Sequence, residues 1–450
     1  MQVTETSAEG LFRAFKVTIP NSELDEKLNL RLDGLKDKVN LKGFRPGKVP
    51  MDHLKKTFGA QVMGEILEET LTESSQKALE ERSLRAALQP KIEFNQTADD
   101  LMTEGKDLEF SFEVELMPDF ELMDVKGIAI DRLTAEITDK EIDDQVGNVA
   151  ESQLTYSDLG EDAVAADGNQ LMIDFDGSID GLAFDGGRAE GMALVLGSGQ
   201  FIPGFEEQLV GQKAGAELDV VVPFPEDYPV EDLAGKEATF AVKIHAVNSA
   251  DEIVIDDDFA KKVGMDDLAA LKDAIRGRMK QEFDGATRAH SKRSLLDALD
   301  KGHAFDLPKG MVDAEFQAIW QQVIQDLQTR GKTIEDEAES EEDMKKEYKA
   351  IAERRVRLGL VLAEIGKENN IDVTQEEMGR ALSQLSRQYP GQEKQIYEYY
   401  QQNMGAMAQL RAPIFEDKVV DFILELVTIT DKVVDREELF ADPYEDVEVV

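Results

Sequence analysis

The sequence predicts an α+β protein of several domains, and three patterns support this. Residues 1–118 mix alternating apolar segments with segments of helical periodicity. Residues 151–247 are rich in glycine, proline and β-branched residues, with several short apolar segments, which is typical of a small, mostly antiparallel sheet. From Asp256 onward nearly every segment has helical periodicity. A chain of 450 residues has room for about three such domains.

The first region is expected to begin with a strand followed by a helix. Phe15, Val17 and Ile19 alternate with polar or small residues, as in a half-buried strand. Leucines then recur at helical spacing from Leu24 to Leu35. The helix start is predicted from a capping-box pattern formed by Ser22 and Asp25.

A second helix and two more strands complete this region. Apolar residues return at helical spacing from Val62 to Leu79, and the segments KIEFNQ and LEFSFEVELMP are strand candidates. Residues 119–150 are expected to form a connector, in which a strand-like piece precedes a short acidic helix that begins near Thr138.

The middle and last regions differ sharply in pattern. The strand candidates of residues 151–247 are QLMIDFDG, MALVLG, ELDVVVPF and ATFAVKIHAV. Residues 248–450 are expected to be helical with an acidic tail. One helix places Leu268, Leu271, Ile275 and Met279 on one face, a later one runs from Met344 to Glu368, and the last ends at Thr430.

The composition is strongly acidic. There are 94 Asp and Glu against 50 Lys and Arg, a formal net charge of -44, and no cysteine. This charge argues against general nucleic-acid affinity, so no direct DNA binding is expected. It also repels anionic membranes. Without cysteine, disulfides and thiol nucleophiles are excluded. MQVTETSAEG has no signal-peptide core, and a cytoplasmic protein without membrane association is expected.

No metal or cofactor is expected. The segment DFDGSIDG places Asp176, Ser178 and Asp180 like the first ligands of a calcium loop, but Gly187 occupies the position of the bidentate acid. LGSGQFIPG lacks the third glycine of a dinucleotide-binding loop. The histidines are scattered and form no zinc motif.

Several segments of the middle region form a recognisable set of motifs: LGSGQFIPGFE, the AGAE turn and PFPEDYP, with IDFDGSIDGLAFDG upstream. Through these segments the region resembles the FK506-binding-protein family of peptidyl-prolyl isomerases. The resemblance implies a small antiparallel β + α isomerase domain with an apolar pocket that requires no cofactor. The side chains that would line the pocket are Phe175, Phe184, Phe201, Ile202, Phe205, Tyr228 and Phe240, and Asp185 matches the family's pocket carboxylate.

One feature of this pocket departs from the family pattern. Phe205 stands where the small drug-binding members have tryptophan at the pocket floor. The alternative interpretation is that each of these aromatic residues is simply part of the core of a small β domain, since buried phenylalanine is common.

A basic loop interrupts the acidic chain. Residues 31–56 carry eight Lys and Arg against three acids, locally +5, so the remainder sums to -49. Within them, GFRPGKVP resembles the ribosome-docking signature of the bacterial trigger factor family, Gly-Phe-Arg-x-Gly-Lys-x-Pro. The resemblance implies docking beside the exit tunnel of the large ribosomal subunit through Gly43, Phe44, Arg45, Pro46, Gly47 and Lys48. Pro46 stands where lysine is frequent, which removes one cation and stiffens the loop.

The order of parts is also similar to that family. It implies a docking domain at 1–118, the connector at 119–150, an isomerase domain at 151–247 and a helical chaperone domain at 248–450. The implied function is a ribosome-associated chaperone that shields nascent and unfolded polypeptides and isomerises X-Pro bonds, with a homodimer away from the ribosome as a further expectation. A dedicated isomerase with accessory domains, or a non-catalytic scaffold, remains an alternative.

The helical region is expected to supply a surface for client polypeptides. Flexible methionine and large aromatic side chains adapt to varied apolar partners. The candidates are Met311, Trp320, Met378, Tyr397, Tyr399, Tyr400, Met404 and Met407. For any one of them, ordinary packing in a helical core is the competing interpretation.

Overall fold

The computed structural model describes residues 1–36, 44, 49–97, 101–102, 105–160, 162–226, 228, 230, 233–334 and 340–442. The chain divides into two compact units. One unit combines Met1–Thr134 with Ala286–Val450, and the other is Ala135–Gly285. Both helices and sheets are present, which confirms the predicted α+β class. The four-part division at residues 118, 150 and 247 stays a prediction.

The N-terminal region forms an antiparallel sheet. Its strands are β1 (Gln2–Glu9), β2 (Phe12–Ile19), β3 (Lys91–Phe94) and β4 (Leu108–Glu115), in the order β1-β2-β4-β3. Helices α1 (Asn21–Leu35) and α2 (Met51–Glu80) follow β2. The predicted alternation is confirmed, because Phe15, Val17 and Ile19 are all buried. The Phe15 ring stacks on Phe112, with centroids 5.0 Å apart.

The predicted capping box at the start of α1 is wrong. Pro20 occupies the N-cap position, and no side chain accepts a hydrogen bond there. Asn21 anchors the helix start instead, because its backbone N–H donates to Asp107 Oδ1 at 2.9 Å and its Nδ2 donates to the Leu101 carbonyl at 2.9 Å. The helix therefore begins ahead of Ser22, and a long-range tether replaces the local cap.

The second unit contains the sheet predicted for the middle region. Its strands are β6 (Tyr156–Asp158), β7 (Gln170–Ile179), β8 (Leu182–Val195), β9 (Glu217–Pro223) and β10 (Glu237–Ala250). They are antiparallel in the order β6-β10-β7-β8, and β9 pairs with β10. Its helices are α3 (Asp139–Ser152), α4 (Phe205–Leu209) and α5 (Asp257–Lys262). Thr138 caps α3 in a capping box with Glu141, as the predicted start near Thr138 requires.

The segment that resembles a calcium loop is a strand and a tight turn. Asp176 and Ser178 lie within β7, and Ile179 pairs with Leu182 across the turn. The two turn residues, Asp180 and Gly181, have φ values of 51° and 78°. Two-residue hairpin turns of this kind need positive φ at both positions and favour Asp-Gly. The acidic pattern is therefore explained by the hairpin.

The remaining chain is mostly helical. The long helices are α6 (Leu268–Gly302), α7 (Lys309–Thr329) and α8 (Glu341–Glu368), followed by α9 (Gln375–Ser386), α10 (Glu393–Gln402), α11 (Met404–Leu424) and the short α12 (Arg436–Phe440). Leu271, Ile275 and Met279 are buried on one face of α6, as predicted. Within the described residues, every helix is too short or too polar to cross a bilayer.

The connector joins this helical region through a strand. Strand β5 (Ala129–Thr134) pairs in parallel with β11 (Thr428–Val433). Beside the pairing, Ile128 and Ile130 pack into the core formed by α6, α8 and α11. The expected helix end at Thr430 is wrong, because α11 ends at Leu424 and the following apolar residues extend to pair with β5.

Candidate active site

Seven apolar side chains from separate segments converge on the core of the second unit. Phe175 comes from β7, Phe184 from β8 and Phe240 from β10. Phe201 and Ile202 lie in the loop that leads into α4, where Phe205 is the first residue, and Tyr228 follows β9. All seven belong to one hydrophobic cluster. The structure therefore brings together every apolar residue of the predicted pocket.

Phe205 is the centre of the ring contacts. Its ring stacks on Phe201, with centroids 4.7 Å apart, and meets Phe240 edge-on at 5.3 Å. Phe175 meets Phe205 at 6.3 Å, also edge-on. These distances and angles are the preferred ones for aromatic pairs. The rings therefore fix one another's orientation.

Burial divides the seven side chains into a floor and a rim. Phe205 is 0% exposed, Phe240 6% and Phe175 8%. Phe184, Phe201, Ile202 and Tyr228 are half-buried around this floor. An apolar surface with a fixed floor and an accessible rim is suited to taking up an apolar group from solvent.

Two glycines allow the rings to approach the sheet. A Cβ atom at Gly177 would lie 2.6 Å from the Phe240 ring, and one at Gly187 would lie 3.0 Å from the Phe184 ring. Real Cβ atoms essentially never come as close as the first of these distances. Gly177 therefore makes room for Phe240.

The two polar members of the predicted site are placed differently. Tyr228 packs its ring on Phe224, with centroids 4.7 Å apart, and so belongs to the rim. Asp185 directly follows Phe184 on β8 and is exposed. Its assignment as the pocket carboxylate stays a prediction.

A buried carboxylate lies directly behind the rim. Glu206 is 9% exposed and accepts hydrogen bonds from the backbone N–H groups of Gly197, Gly199 and Phe201. Glu206 is not among the site residues predicted from the sequence. The available signal is an acid directly after Phe205, inside the apolar IPGFE motif, where a solvent-facing residue is not expected.

The opposite face of the same sheet is charged. Asp174 Oδ2 lies 2.6 Å from His245 Nε2, and its Oδ1 accepts the Gly191 N–H at 2.7 Å. The Gly191 N–H and the His245 side chain lower the pKa of Asp174. Lys243 pairs with Glu217 at 2.6 Å beside a shallow depression of about 400 Å³. Most residues that line this depression are charged, among them Asp174, Asp176 and Arg188, so its environment is more polar than that of the aromatic face.

Only part of the predicted docking loop lies within the described residues. Phe44 is half-buried, packs against the N-terminal core and meets the His53 ring at 4.9 Å between centroids. Gly43, Arg45, Pro46, Gly47 and Lys48 lie outside the described residues. The flanking helices α1 and α2 are described and carry surface ion pairs, such as Lys55 with Asp25.

Three family models match the chain in the same order as the predicted parts. The model for bacterial trigger factor protein matches residues 1–149, that for FKBP-type peptidyl-prolyl cis-trans isomerase 161–245, and that for the bacterial trigger factor C-terminus 267–425. A trigger factor of Parvibaculum lavamentivorans is 52% identical over 98% of this chain and 87% of its own length.

The chain belongs to the trigger factor family.

Further relatives agree along the full length. A trigger factor of Azorhizobium caulinodans is 50% identical over 99% of this chain and 99% of its own. A solved structure from work on promiscuous substrate recognition by the trigger factor chaperone has the same fold. It has a TM-score of 0.53 and 19% identity, and the match covers 94% of this chain and 99% of that one.

Family membership defines the activity. This member is a chaperone with an FKBP-type peptidyl-prolyl isomerase domain. Membership also implies interaction with the ribosome and with nascent chains. The aromatic floor and rim lie inside the segment matched by the isomerase model.

Proposed function

We propose that the aromatic floor and rim are the site where this chain isomerises X-Pro bonds. The observation that carries the proposal is the arrangement around Phe205, whose ring is fully buried and stacked under the half-buried Phe201. Ile202 and Tyr228 complete an accessible apolar rim. Asp185, directly after Phe184, is proposed as the polar group beside the rim.

The chemistry requires only such an environment. The barrier to rotation about a peptide bond is about 20 kcal/mol, because twisting the bond removes amide resonance. A twisted amide has less charge separation than a planar one. Transfer from water into an apolar aromatic site therefore disfavours the planar ground state relative to the twisted transition state. Neither a nucleophile nor a cofactor takes part.

Replacement of a rim residue tests this proposal. We expect Phe201→Ala to lower kcat/KM for a proline peptide by about tenfold, since an aromatic contact contributes on the order of 1.4 kcal/mol. Leu218→Ala is the matched control, because Leu218 is a half-buried apolar residue of the same core outside the ring contacts. Wild-type kcat/KM in Phe201→Ala would place the reaction elsewhere.

We further propose that residues 43–48 dock the chain on the large ribosomal subunit near the exit tunnel. The support is the charge contrast between the local +5 of residues 31–56 and the -49 of the rest. The acidic body is repelled by ribosomal phosphates, so this patch fixes orientation as well as affinity. Arg45 can pair with phosphate, and Phe44 can contribute an apolar contact.

Client contacts are proposed for the exposed end of the helical region. Tyr399 is 56% exposed and Met404 87% exposed, at the end of α10 and the start of α11. Both can adapt to apolar segments of varied shape. In contrast, Met378 is only 8% exposed and belongs to the core, and Met311 packs against the core of α7 and α8.

The remaining partner expectations are also proposals. A homodimer away from the ribosome and action in the cytoplasm, where ribosomes translate, are in keeping with the family. The net charge of -44 supports the expectation that the chain does not bind DNA directly.

A further inference from the structure

The loop that carries the rim residues Phe201 and Ile202 is held by one carboxylate. Glu206 Oε2 accepts the N–H groups of Gly197 at 2.8 Å and of Gly199 at 3.2 Å. Its Oε1 accepts the N–H of Phe201 at 3.3 Å and the hydroxyl of Ser198 at 3.4 Å. Both oxygens are therefore occupied by donors from a five-residue stretch of chain.

Burial of the Glu206 carboxylate is unfavourable unless hydrogen bonds compensate it. Its side chain is almost fully buried, and no lysine or arginine of the described residues forms an ion pair with it. A buried charge without hydrogen bonds or a counterion is strongly unfavourable. Here the loop N–H groups supply the compensation, as backbone N–H groups do in other anion-binding loops. The loop and the carboxylate therefore stabilise each other.

We infer that Glu206 is a positioning residue for prolyl isomerisation, which holds the loop in the shape that presents Phe201 over Phe205. The inference rests on the proposed pocket. Glu206 binds the backbone of the rim residue Phe201. It acts through the Phe201 N–H, and the Phe201 ring in turn stacks 4.7 Å from Phe205 and meets Phe175 edge-on at 5.6 Å.

The isosteric change Glu206→Gln separates this role from general stability. An amide keeps one acceptor oxygen but places an NH₂ group at the other position. Because the Ser198 hydroxyl can accept but the N–H groups of Gly197, Gly199 and Phe201 cannot, at least one N–H hydrogen bond is replaced by a donor–donor contact. The loop then occupies the competent shape for only a fraction of the time. Because substrate binds only to molecules whose loop has the competent shape, KM rises. At saturating substrate every molecule has that shape, so kcat is unchanged.

We expect Glu206→Gln to raise KM for a proline peptide by about tenfold with kcat within about twofold of wild type. Partial unfolding instead lowers the measured kcat and leaves KM unchanged, because it lowers the concentration of active enzyme. Glu206→Asp keeps the charge but shortens the side chain by one methylene, so it is expected to raise KM as well. Glu207→Gln is the matched control, since Glu207 is exposed on the same helix.

The experiment measures kcat and KM of the full chain and these variants with one tetrapeptide, together with Phe201→Ala. An unchanged KM in Glu206→Gln, whether kcat is kept or lost, overturns the positioning role. If Phe201→Ala retains wild-type kcat/KM, the proposed pocket itself is wrong. If Phe201→Ala loses activity and Glu206→Gln keeps its KM, only the inference about Glu206 fails.

Discussion

In the second unit, Ala135–Gly285, which is called the isomerase unit below, two phenylalanines allow stability and activity to be tested separately. Phe205 is fully buried and contacts three other rings, whereas Phe201 is half-buried at the rim. Loss of the first ring leaves a cavity in the core, and loss of the second changes a surface that is open to solvent. For this reason Phe201, rather than Phe205, is the residue for testing catalysis.

We predict that Phe205→Ala destabilises the isomerase unit by about 3–5 kcal/mol, the range for removal of a buried phenylalanine ring. Chemical denaturation monitored by circular dichroism measures this. Leu182→Ala is the control in the same unit, because Leu182 is 76% exposed and a surface change usually costs less than about 0.5 kcal/mol. A loss below about 1 kcal/mol for Phe205→Ala would contradict the central position of this ring.

Glu377 is a titratable residue with a clear pH signature. Its carboxylate contacts Lys418 Nζ at 2.9 Å and accepts the Thr374 N–H at 2.7 Å in the capping box of α9. The hydrogen bond with Lys418 is the largest cause, followed by those with Thr374, and together they lower the pKa of Glu377 from 4.5 to about 2. Because the pKa is lowered on folding, the stabilisation is complete above pH 4.5 and is lost as the pH falls towards 2.

We therefore predict that the Glu377 carboxylate stays ionised at pH 3.5, as followed by the carboxyl carbon shift in an NMR titration. Lys418→Ala should raise the pKa of Glu377, since it removes the largest cause of the shift. A midpoint for Glu377 near 4.5 in the wild-type chain would show that these contacts are absent in solution.

At the scale of elements, local patterns were predictable and long-range pairings were not. Strand β2 follows from its alternation, and α3 follows from its capping box. Strand β11 does not, because its apolar residues continue from α11 and its partner β5 lies about three hundred residues away in the sequence. The predicted start of α1 is wrong for the same reason, since its anchor Asp107 is remote in the sequence.

Prediction of the site from the sequence has the same limit, because contacts that form only in the folded loop have no local pattern. The pocket residues were identified from motifs in order, and the fold brings the seven apolar ones together. Glu206 is not predicted, because its local signal, an acid directly after Phe205 in the IPGFE motif, does not show which groups compensate its burial. Its burial depends on three N–H groups that face inward only in the folded loop.

A helix start in the first unit depends on a strand residue. Glu115, at the end of β4, accepts the Gly310 N–H at 2.6 Å in the first turn of α7. N–H groups there have no helical acceptor, and a negative charge interacts favourably with the helix dipole. A Cβ at Gly310 would lie 3.1 Å from Glu115 Oε2, tighter than most Cβ contacts, so glycine favours this approach.

We predict that Glu115→Ala destabilises the first unit by about 1–2 kcal/mol, the usual effect of losing a helix cap. Trp320 is the single tryptophan and lies within α7, so its fluorescence during urea unfolding reports on this helix. Glu113→Ala is the control, since Glu113 is an exposed acid on the same strand. Equal unfolding midpoints for the two variants would rule out the cap.

At the scale of the whole molecule, charge distribution governs association with the ribosome. A body of -49 and a patch of +5 favour contact through the patch alone. Attraction between exposed charges is screened by salt, with a Debye length of about 8 Å at physiological ionic strength. Binding to ribosomes is therefore expected to weaken as salt rises. Isomerisation of a short neutral peptide has no such dependence.

The most direct test of docking is co-sedimentation with ribosomes across a salt series. The test variant combines Phe44→Ala, Arg45→Ala and Lys48→Ala. The control combines Phe94→Ala, Lys16→Ala and Lys91→Ala, which removes one exposed phenylalanine and two cations from the sheet of the same region.

We predict that the test variant loses at least about tenfold in ribosome affinity at every salt concentration, since it removes a hot-spot ring together with two cations. The control should bind as the wild type does, and both should keep full proline-peptide turnover. Wild-type sedimentation of the test variant, or an equal loss in the control, would contradict docking through residues 43–48.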